Sequence, residues 1–321
     1  MAFDQPSARL EHYPITFFAV GMGTLGLTLA VHAAEQAYDL GAHLSGWVLS
    51  GSVVILALVS LGYLAKALRH PDAVRGEWNH PVRIAFFPAM SISVLLLAAA
   101  LIDRAPVLAN WIWMVGAAMQ GALALSVIAA WIGHRSFAPL HISPAWFIPA
   151  VGNVIVPLAG APLGHIDLSW MFFSAGVLFW VVLLTLVINR LMFHDPLPGR
   201  LVPTLVILIA PPAVAFISWV RLTGGLDAFG HILISLAYVF ALIVLTQVPK
   251  FRQLPFSLAW WALSFPLAAL SSASFLYARL AGSDAHRVLG LFLLVLLATI
   301  VGALIGRTVL AMARGEICRP E

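Results

Sequence analysis

Hydrophobic residues in this chain fall into ten long runs separated by short polar patches. The runs lie at about 15–34, 44–65, 84–102, 107–131, 145–160, 168–189, 201–220, 226–247, 256–277 and 288–311. Most approach the roughly 20 residues a helix needs to cross the hydrocarbon layer of a bilayer, and the fifth is the short one. Polar stretches such as Glu35 to His43, His70 to Arg83 and Arg190 to Arg200 sit between runs and serve as turns. Trp47, Trp111, Trp113, Trp146, Trp170 and Trp219 stand near the predicted ends, where interfacial anchors belong. The pattern predicts an all-α integral membrane protein with ten transmembrane helices.

A second pattern is written in proline. The odd-numbered runs contain or begin with one: Pro14, Pro88, Pro149 and Pro157, Pro203, Pro211 and Pro212, and Pro266; the even-numbered runs have none. Pro14, Pro88, Pro149, Pro211 and Pro266 are 74, 61, 62 and 55 positions apart, the spacing of a helical hairpin repeated five times. Proline removes a backbone donor and clashes with the carbonyl one turn back, so it kinks or breaks a helix. Freed carbonyls are tolerated at membrane depth only where protein or a water-filled cavity satisfies them. Although proline is commoner in transmembrane than in soluble helices in any case, strict odd/even segregation predicts five kinked helices inside five straight ones, enclosing a central path. Pro88, Pro149, Pro211 and Pro266 become candidates to line it.

Composition narrows the class. Of 321 residues, 62% are hydrophobic and only 9% charged, with mean hydropathy +0.99. A water-soluble enzyme carries about 25% charged residues, and ten helices leave no room for a separate soluble domain, so residues 1–321 read as one membrane domain with short tails at about 1–13 and 312–321. The net charge of +4 comes without any basic run, which argues against a nucleic-acid partner. Its distribution carries the information instead. Arg9, Lys66, Arg69, Arg75, Arg83, Arg135, Arg190, Arg200, Lys250, Arg252, Arg307, Arg314 and Arg319 fall on one side of the predicted spans, against Arg104, Arg221, Arg279 and Arg287 on the other. The positive-inside rule then puts both termini in the cytoplasm of a multi-pass plasma (inner) membrane protein. The single cysteine, Cys318, allows no disulfide and no thiolate cluster, and no metal or cofactor is implied.

The candidate chemistry is that of a conduit. All acids fall in loops, tails or span ends, so neither a membrane-depth proton relay nor an acidic cation filter is visible. His32 and His231 lie near span ends and read as interfacial. Arg83 and Arg307 lie close to their span ends, where they snorkel or face a cytoplasmic vestibule and attract anions. A path of broken helices behind a basic cytoplasmic rim suits anions, because helix N-termini present positive dipole ends. Phe17, Phe18, Phe86, Phe87, Phe147 and Phe265 stand beside the odd-run prolines. Each either packs between helices or projects across the axis, where a ring plugs the path and offers its weakly positive edge to an anion. Two motifs are decoys. Gly21-Met22-Gly23-Thr24-Leu25-Gly26 fits the G-x-G-x-x-G fingerprint but lies inside a membrane run, where small residues let helices approach. His165/Asp167 and His194/Asp195 are isolated loop pairs. Gly302 and Gly306 form a G-x-x-x-G packing face in the last run.

Several of these stretches also resemble a known family. His80-Pro81-Val82-Arg83 leading into Phe86-Phe87, Phe147-Ile148-Pro149-Ala150-Val151-Gly152-Asn153, Ala210-Pro211, and Phe256-Ser257-Leu258-Ala259-Trp260-Trp261-Ala262-Leu263-Ser264-Phe265-Pro266 are similar to segments of the tellurite-resistance protein TehA and slow anion channel (SLAC) family. The resemblance runs over nearly the whole chain. It implies five inner helices in quasi-fivefold arrangement, a pore within each subunit of a homotrimer, and an occluding gate at the phenylalanine that follows Trp-Trp-Ala-x-Ser, here Phe265. Phe18, Phe87, Pro88, Phe147, Pro149, Pro211 and Pro266 are then the pore-lining candidates, and Arg83 the vestibule cation. The plant members are opened by kinases acting on long tails, a mode the short termini here do not suit. The expected activity is passive conduction of small monovalent anions such as chloride and nitrate, with no enzymatic chemistry. The alternative within the family is a coupled exporter of C4-dicarboxylate, another small carboxylate, sulfite or tellurite.

Overall fold

The computed structural model describes residues 6–41, 43–133, 137–251 and 253–318. Arg135, Arg252 and Arg319 of the charge count, and the outermost residues of both expected tails, lie outside the described residues. Every regular element among those described is helical. In chain order the apolar segments are α1 Ile15–Ala37, α2 Leu44–Arg69, α3 Arg83–Leu101, α4 Pro106–Ile132, α5 Pro144–Gly160, α6 Ile166–Phe193, α7 Gly199–Thr223, α8 Ala228–Leu245, α9 Leu258–Ala281 and α10 Asp284–Ala313. By length and composition nine of them suffice to cross a membrane, whereas α5, at 17 residues, is shorter. Its prolines are the reason. Pro144, Pro149 and Pro157 divide it into a 3-10 turn at Pro144–Trp146, an α turn at Phe147–Val151, a 3-10 turn at Gly152–Ile155 and a last α turn at Pro157–Gly160. Because 3-10 backbone rises about 2.0 Å per residue against about 1.5 Å for α, such a segment reaches further than its length suggests.

The segregation of odd and even segments is reproduced in space. The odd helices contact one another in the cyclic order α1, α3, α5, α7, α9 and back to α1, a closed ring of five. Each even helix packs outside its predecessor. Burial follows: 72% of the membrane window of α1 and of α3 is buried, 83% of α7 and 56% of α9, against 28 to 33% for the even helices. The outer faces carry exposed Leu58 and Leu61 on α2, Leu125 on α4, Leu178 on α6, Leu242 on α8 and Val295 on α10, the surface that lipid covers.

Winding separates the two sets as well. The even helices are continuous α-helices. The other four inner helices begin as 3-10 and continue as α, with the α part starting at Phe18, Ala89, Ala210 and Ser264 respectively. Kinks within helices were the expectation; the structure instead puts Pro88 directly before its α part and Pro211 and Pro266 in the first turn of theirs. There proline's fixed φ favours the start of the α part, and its missing N–H leaves a carbonyl of the preceding 3-10 turn without that donor.

The irregular backbone is satisfied from within the ring. Gln120, fully buried on α4, accepts from Ser91 Oγ at 2.8 Å and donates to the Pro149 carbonyl and to Asn153 Oδ1, both at 3.1 Å, so one side chain ties α3, α4 and α5. Ser218 Oγ on α7 donates to the Val154 carbonyl of α5, and Trp113 Nε1 on α4 to the Val156 carbonyl at 2.9 Å. At the N-terminal end of α1 lies a short helix, Pro71–Asn79. There Glu77 accepts from the Ile15 N–H at 3.1 Å and from Tyr63 at 2.9 Å, and pairs with buried Lys66 at 2.8 Å.

Three other expectations resolve at this level. The G-x-G-x-x-G glycines let α1 touch α9: a Cβ on Gly23 would run into Ser264 and, at 2.9 Å, the Trp261 ring, and one on Gly26 would lie 3.0 Å from Ala268 Cβ. Trp47 and Trp111 are exposed as anchors should be, but Trp113 and Trp146 are core residues, the first hydrogen-bonded as above and the second stacked on Trp131 at 4.6 Å. Gly302 and Gly306 are exposed, and among the described residues no atom lies within 4 Å of where a Cβ would sit.

Two stability predictions follow from these bonds. Gln120→Leu keeps the volume and orphans the Pro149 carbonyl and Asn153 Oδ1, while Ser91 Oγ keeps its bond to the Pro88 carbonyl; each unsatisfied buried group costs about 1 to 3 kcal/mol, so thermal unfolding in detergent is expected to show a loss of at least that size. Asp227 caps α8, accepting from Gly230 N–H and Trp219 Nε1 at 2.8 Å each; these two bonds hold its carboxyl below the usual carboxylate range. A depressed folded pKa gives stability that is present above the ordinary carboxylate value of about 3.9 and lost as pH falls through the folded pKa. The gap in melting temperature between wild type and Asp227→Asn should therefore be steady above about pH 5 and shrink in acid.

Candidate functional site

Two cavities lie inside the five-helix ring, and every inner helix contributes to both. The first, of ≈ 130 Å³, opens at the C-terminal ends of the inner helices. Its walls include Gly26, Leu29, His32 and Gln36 from α1, Leu96 and Ala99 from α3, Leu158 from α5, Val214, Ile217 and Arg221 from α7, and Phe265, Ala268, Ser272, Phe275 and Arg279 from α9. Asp103, just past α3, completes the mouth. The second, of ≈ 40 Å³, is lined only by apolar residues: Met22 from α1, Ile92 from α3, Phe147 and Val151 among those of α5, Ile207, Pro211 and Val214 among those of α7, and Phe265 from α9. Phe265 and Val214 alone stand in both walls. The aromatic ring and the valine thus occupy the boundary between a polar-mouthed vestibule and a dry chamber.

Local sequence explains how Phe265 comes to be there. It is the second residue of the α part of α9, immediately after the 3-10 stretch Leu258–Leu263, and Pro266 follows it in the first turn. Ser264 Oγ closes the junction on the Trp261 carbonyl at 2.6 Å, and Trp261 Nε1 is tied to Thr308 of α10 at 3.0 Å. The backbone before the ring is therefore anchored outward. Gly26 of α1 lies opposite: a Cβ there would be 3.4 Å from the Phe265 ring, so the glycine leaves the ring its space. Phe265 is itself only partly buried.

The remaining candidates divide. Phe147 and Pro211 line the dry chamber. Phe18 and Phe87 point outward, edge-on to Tyr63 at 5.8 and 6.4 Å, and Phe87 also meets Trp78 at 4.9 Å. Pro88, Pro149 and Pro266 are buried at the winding changes and belong to neither wall. Arg83 sits at the start of α3, half-buried, its N–H held by His80 Nδ1 at 3.3 Å, and it lines neither cavity. Arg307 is exposed over the Phe256 ring.

What sequence reasoning passed over is the mouth. His32, expected at the interface, has its Nε2 2.9 Å from Asp103 Oδ2 and 3.0 Å from Gln36 Nε2. Arg221 and Arg279, counted only for their side of the membrane, reach into the cavity, and Arg279 donates to Gln36 Oε1 at 3.2 Å. Glu35, expected in a loop, falls in the last turn of α1, buried, where it accepts from Ser45 N–H at 2.9 Å and Ser45 Oγ at 2.5 Å while Arg104 donates to the same hydroxyl at 2.6 Å. A signal was available. Positions 265, 268, 272, 275 and 279 form one face of a helix at three- and four-residue steps, as do 214, 217 and 221, and both stripes end in arginine. His165, by contrast, is absorbed structurally, stacked on Trp113 and bonded to Asn110 Oδ1 at 2.7 Å.

The division into two chambers predicts a reactivity pattern. On a Cys318→Ser background, Ala33→Cys in the mouth should react rapidly with a membrane-impermeant sulfonated methanethiosulfonate, while Val151→Cys in the dry chamber should react at least about tenfold more slowly, because the reagent is anionic and must shed water to pass. Equal rates, read by mass spectrometry, would show that the boundary does not separate them.

The chain is similar to known proteins. A profile of the voltage-dependent anion channel family matches residues 12–309. Among curated proteins it is 30% identical over 317 residues to the S-type anion channel SLAH2 of Arabidopsis thaliana, covering 94% of this chain and 59% of that one. It is 26% identical to the guard cell S-type anion channel SLAC1 of the same plant, covering 88% and 53%, and 23% identical to the tellurite resistance protein TehA homolog of Haemophilus influenzae, covering 94% and 92%. The chain thus spans a little over half the length of these plant relatives and nearly all of the bacterial one.

Proposed function

The chain belongs to the voltage-dependent anion channel family, and on that premise we propose that it is a passive channel for small monovalent anions, chloride and nitrate among them, running along the axis of the inner ring and closed at Phe265. The observation that carries this reading is the position of Phe265 in the walls of both cavities. The relatives named as anion channels support the class of cargo. An apolar chamber dewets easily, so a ring at its neck closes the path without any charged barrier. When the ring swings aside, its weakly positive edge faces the passing anion.

The chemistry of the walls supports the sign of selectivity. The dry chamber has no carboxylate to hold a cation, and the mouth carries Arg221 and Arg279 against Asp103. In this reading both termini are cytoplasmic, following the bias of basic residues, so the mouth opens on the outer side of the plasma or inner membrane. Three copies assemble, each with its own path, and Phe147 and Pro211 shape the chamber below the gate. Pro88, Pro149 and Pro266 act from behind the wall by setting where the helices change winding. Arg83 draws anions toward the cytoplasmic end.

Phe265→Ala is expected to raise single-channel anion current in planar bilayers by about tenfold or more, since each 1.4 kcal/mol removed from a barrier is a factor of ten. Unchanged current in a folded variant would take the gate away from Phe265. Reversal potentials should follow the anion gradient and ignore an imposed pH gradient; a shift with pH would favour coupled export of a dicarboxylate or of sulfite.

A further inference from the structure

The mouth cavity carries chemistry that a hydrophobic plug does not need. Arg221 lies in the last turn of α7 and Arg279 in the last turn of α9, helices adjacent in the ring, and both side chains line one cavity of ≈ 130 Å³. Arg221 is within electrostatic reach of Arg279, a like charge, and of Asp103. Among the described residues its guanidinium makes no hydrogen bond and no ion pair. Arg279 gives one N–H to Gln36 and, among the described residues, makes no other hydrogen bond or ion pair. Asp103 is drawn toward His32 at 2.9 Å and is itself 60% exposed. The two arginines and one aspartate of the mouth sum to a formal +1. Both arginines are exposed at the rim, above an apolar wall that includes Leu29, Ile217 and Phe275.

Two guanidinium groups facing one small cavity are held apart by repulsion unless an anion sits between them. Their forks match a flat, two-oxygen edge better than a sphere. We propose that Arg221 and Arg279 form a binding site for one planar oxyanion of the nitrate or carboxylate class, which loads the path at its mouth one step before Phe265. This rests on the channel reading for its purpose, but the binding itself is measured without current.

The test is calorimetric titration of the detergent-purified protein with sodium nitrate at constant ionic strength. Saturable binding of one nitrate per chain is expected. Arg221→Gln and Arg279→Gln should each weaken it by at least about tenfold, the value of one charge-assisted hydrogen bond, while Asp103→Asn should tighten it severalfold by removing the opposing charge. Arg287→Gln serves as the control, because Arg287 pairs with Asp284 at 2.6 Å and lies outside the cavity wall. Arg221→Lys keeps the charge and loses the fork, so it should weaken nitrate more than chloride. No saturable nitrate binding, or wild-type affinity in either glutamine variant with an unaltered melting temperature, would overturn the site. Equal loss of nitrate and chloride in Arg221→Lys would overturn its preference for planar oxyanions. Intact arginine-dependent binding without any current would instead count against the channel and leave the site standing.

Discussion

The structure depends on one constraint: hydrocarbon offers no hydrogen bonds, so a broken helix must be sheltered by protein. Five segments of this chain are broken, by proline and by stretches of 3-10 backbone, and all five are inside. The continuous helices take the lipid-facing positions because their backbone needs nothing from outside. The closed ring and its outer wall follow from that sorting, and so does an axis bordered by irregular backbone.

Shelter has to be specific, and a few polar side chains supply it. Gln120 reaches from an outer helix into two inner ones, where it satisfies the Pro149 carbonyl beside the change from α to 3-10 winding. Glu77 does the equivalent work at the N-terminal end of α1, whose first N–H groups have no helical partner. These groups hold the winding changes at fixed heights. At the α9 junction the equivalent bonds are Ser264 Oγ on the Trp261 carbonyl and Trp261 Nε1 on Thr308, beside Phe265 at the boundary between the two cavities.

Electrostatics then differs between the two ends of the axis. The chamber beside Phe265 is apolar throughout, whereas the mouth gathers arginine, aspartate, histidine and glutamine. A charged vestibule beside a dry neck concentrates ions of one sign without binding them tightly at the constriction itself. That arrangement suits a member of an anion channel family, and it needs no titratable group at the neck.

The sequence by itself determined the membrane class, the number and order of the apolar segments and the identity of the inner set, because hydropathy and proline are local properties that the bilayer reads directly. It also marked Phe265, through the resemblance of the segment around it. It left the tilt of each side chain open. Phe18 and Phe87 have the same local credentials as Phe265, next to a winding change on an inner helix, yet they turn outward onto Tyr63 and Trp78. Only the rotation of each helix within the ring decides which face meets the axis, and that rotation is set by contacts such as Gly23 against Ser264 and Gln120 against Asn153, between residues far apart in the chain. The convergence of Arg221, Arg279 and Asp103 at one mouth has the same origin: three segments of the ring end around the same cavity, a fact of tertiary packing that no single stretch of sequence encodes.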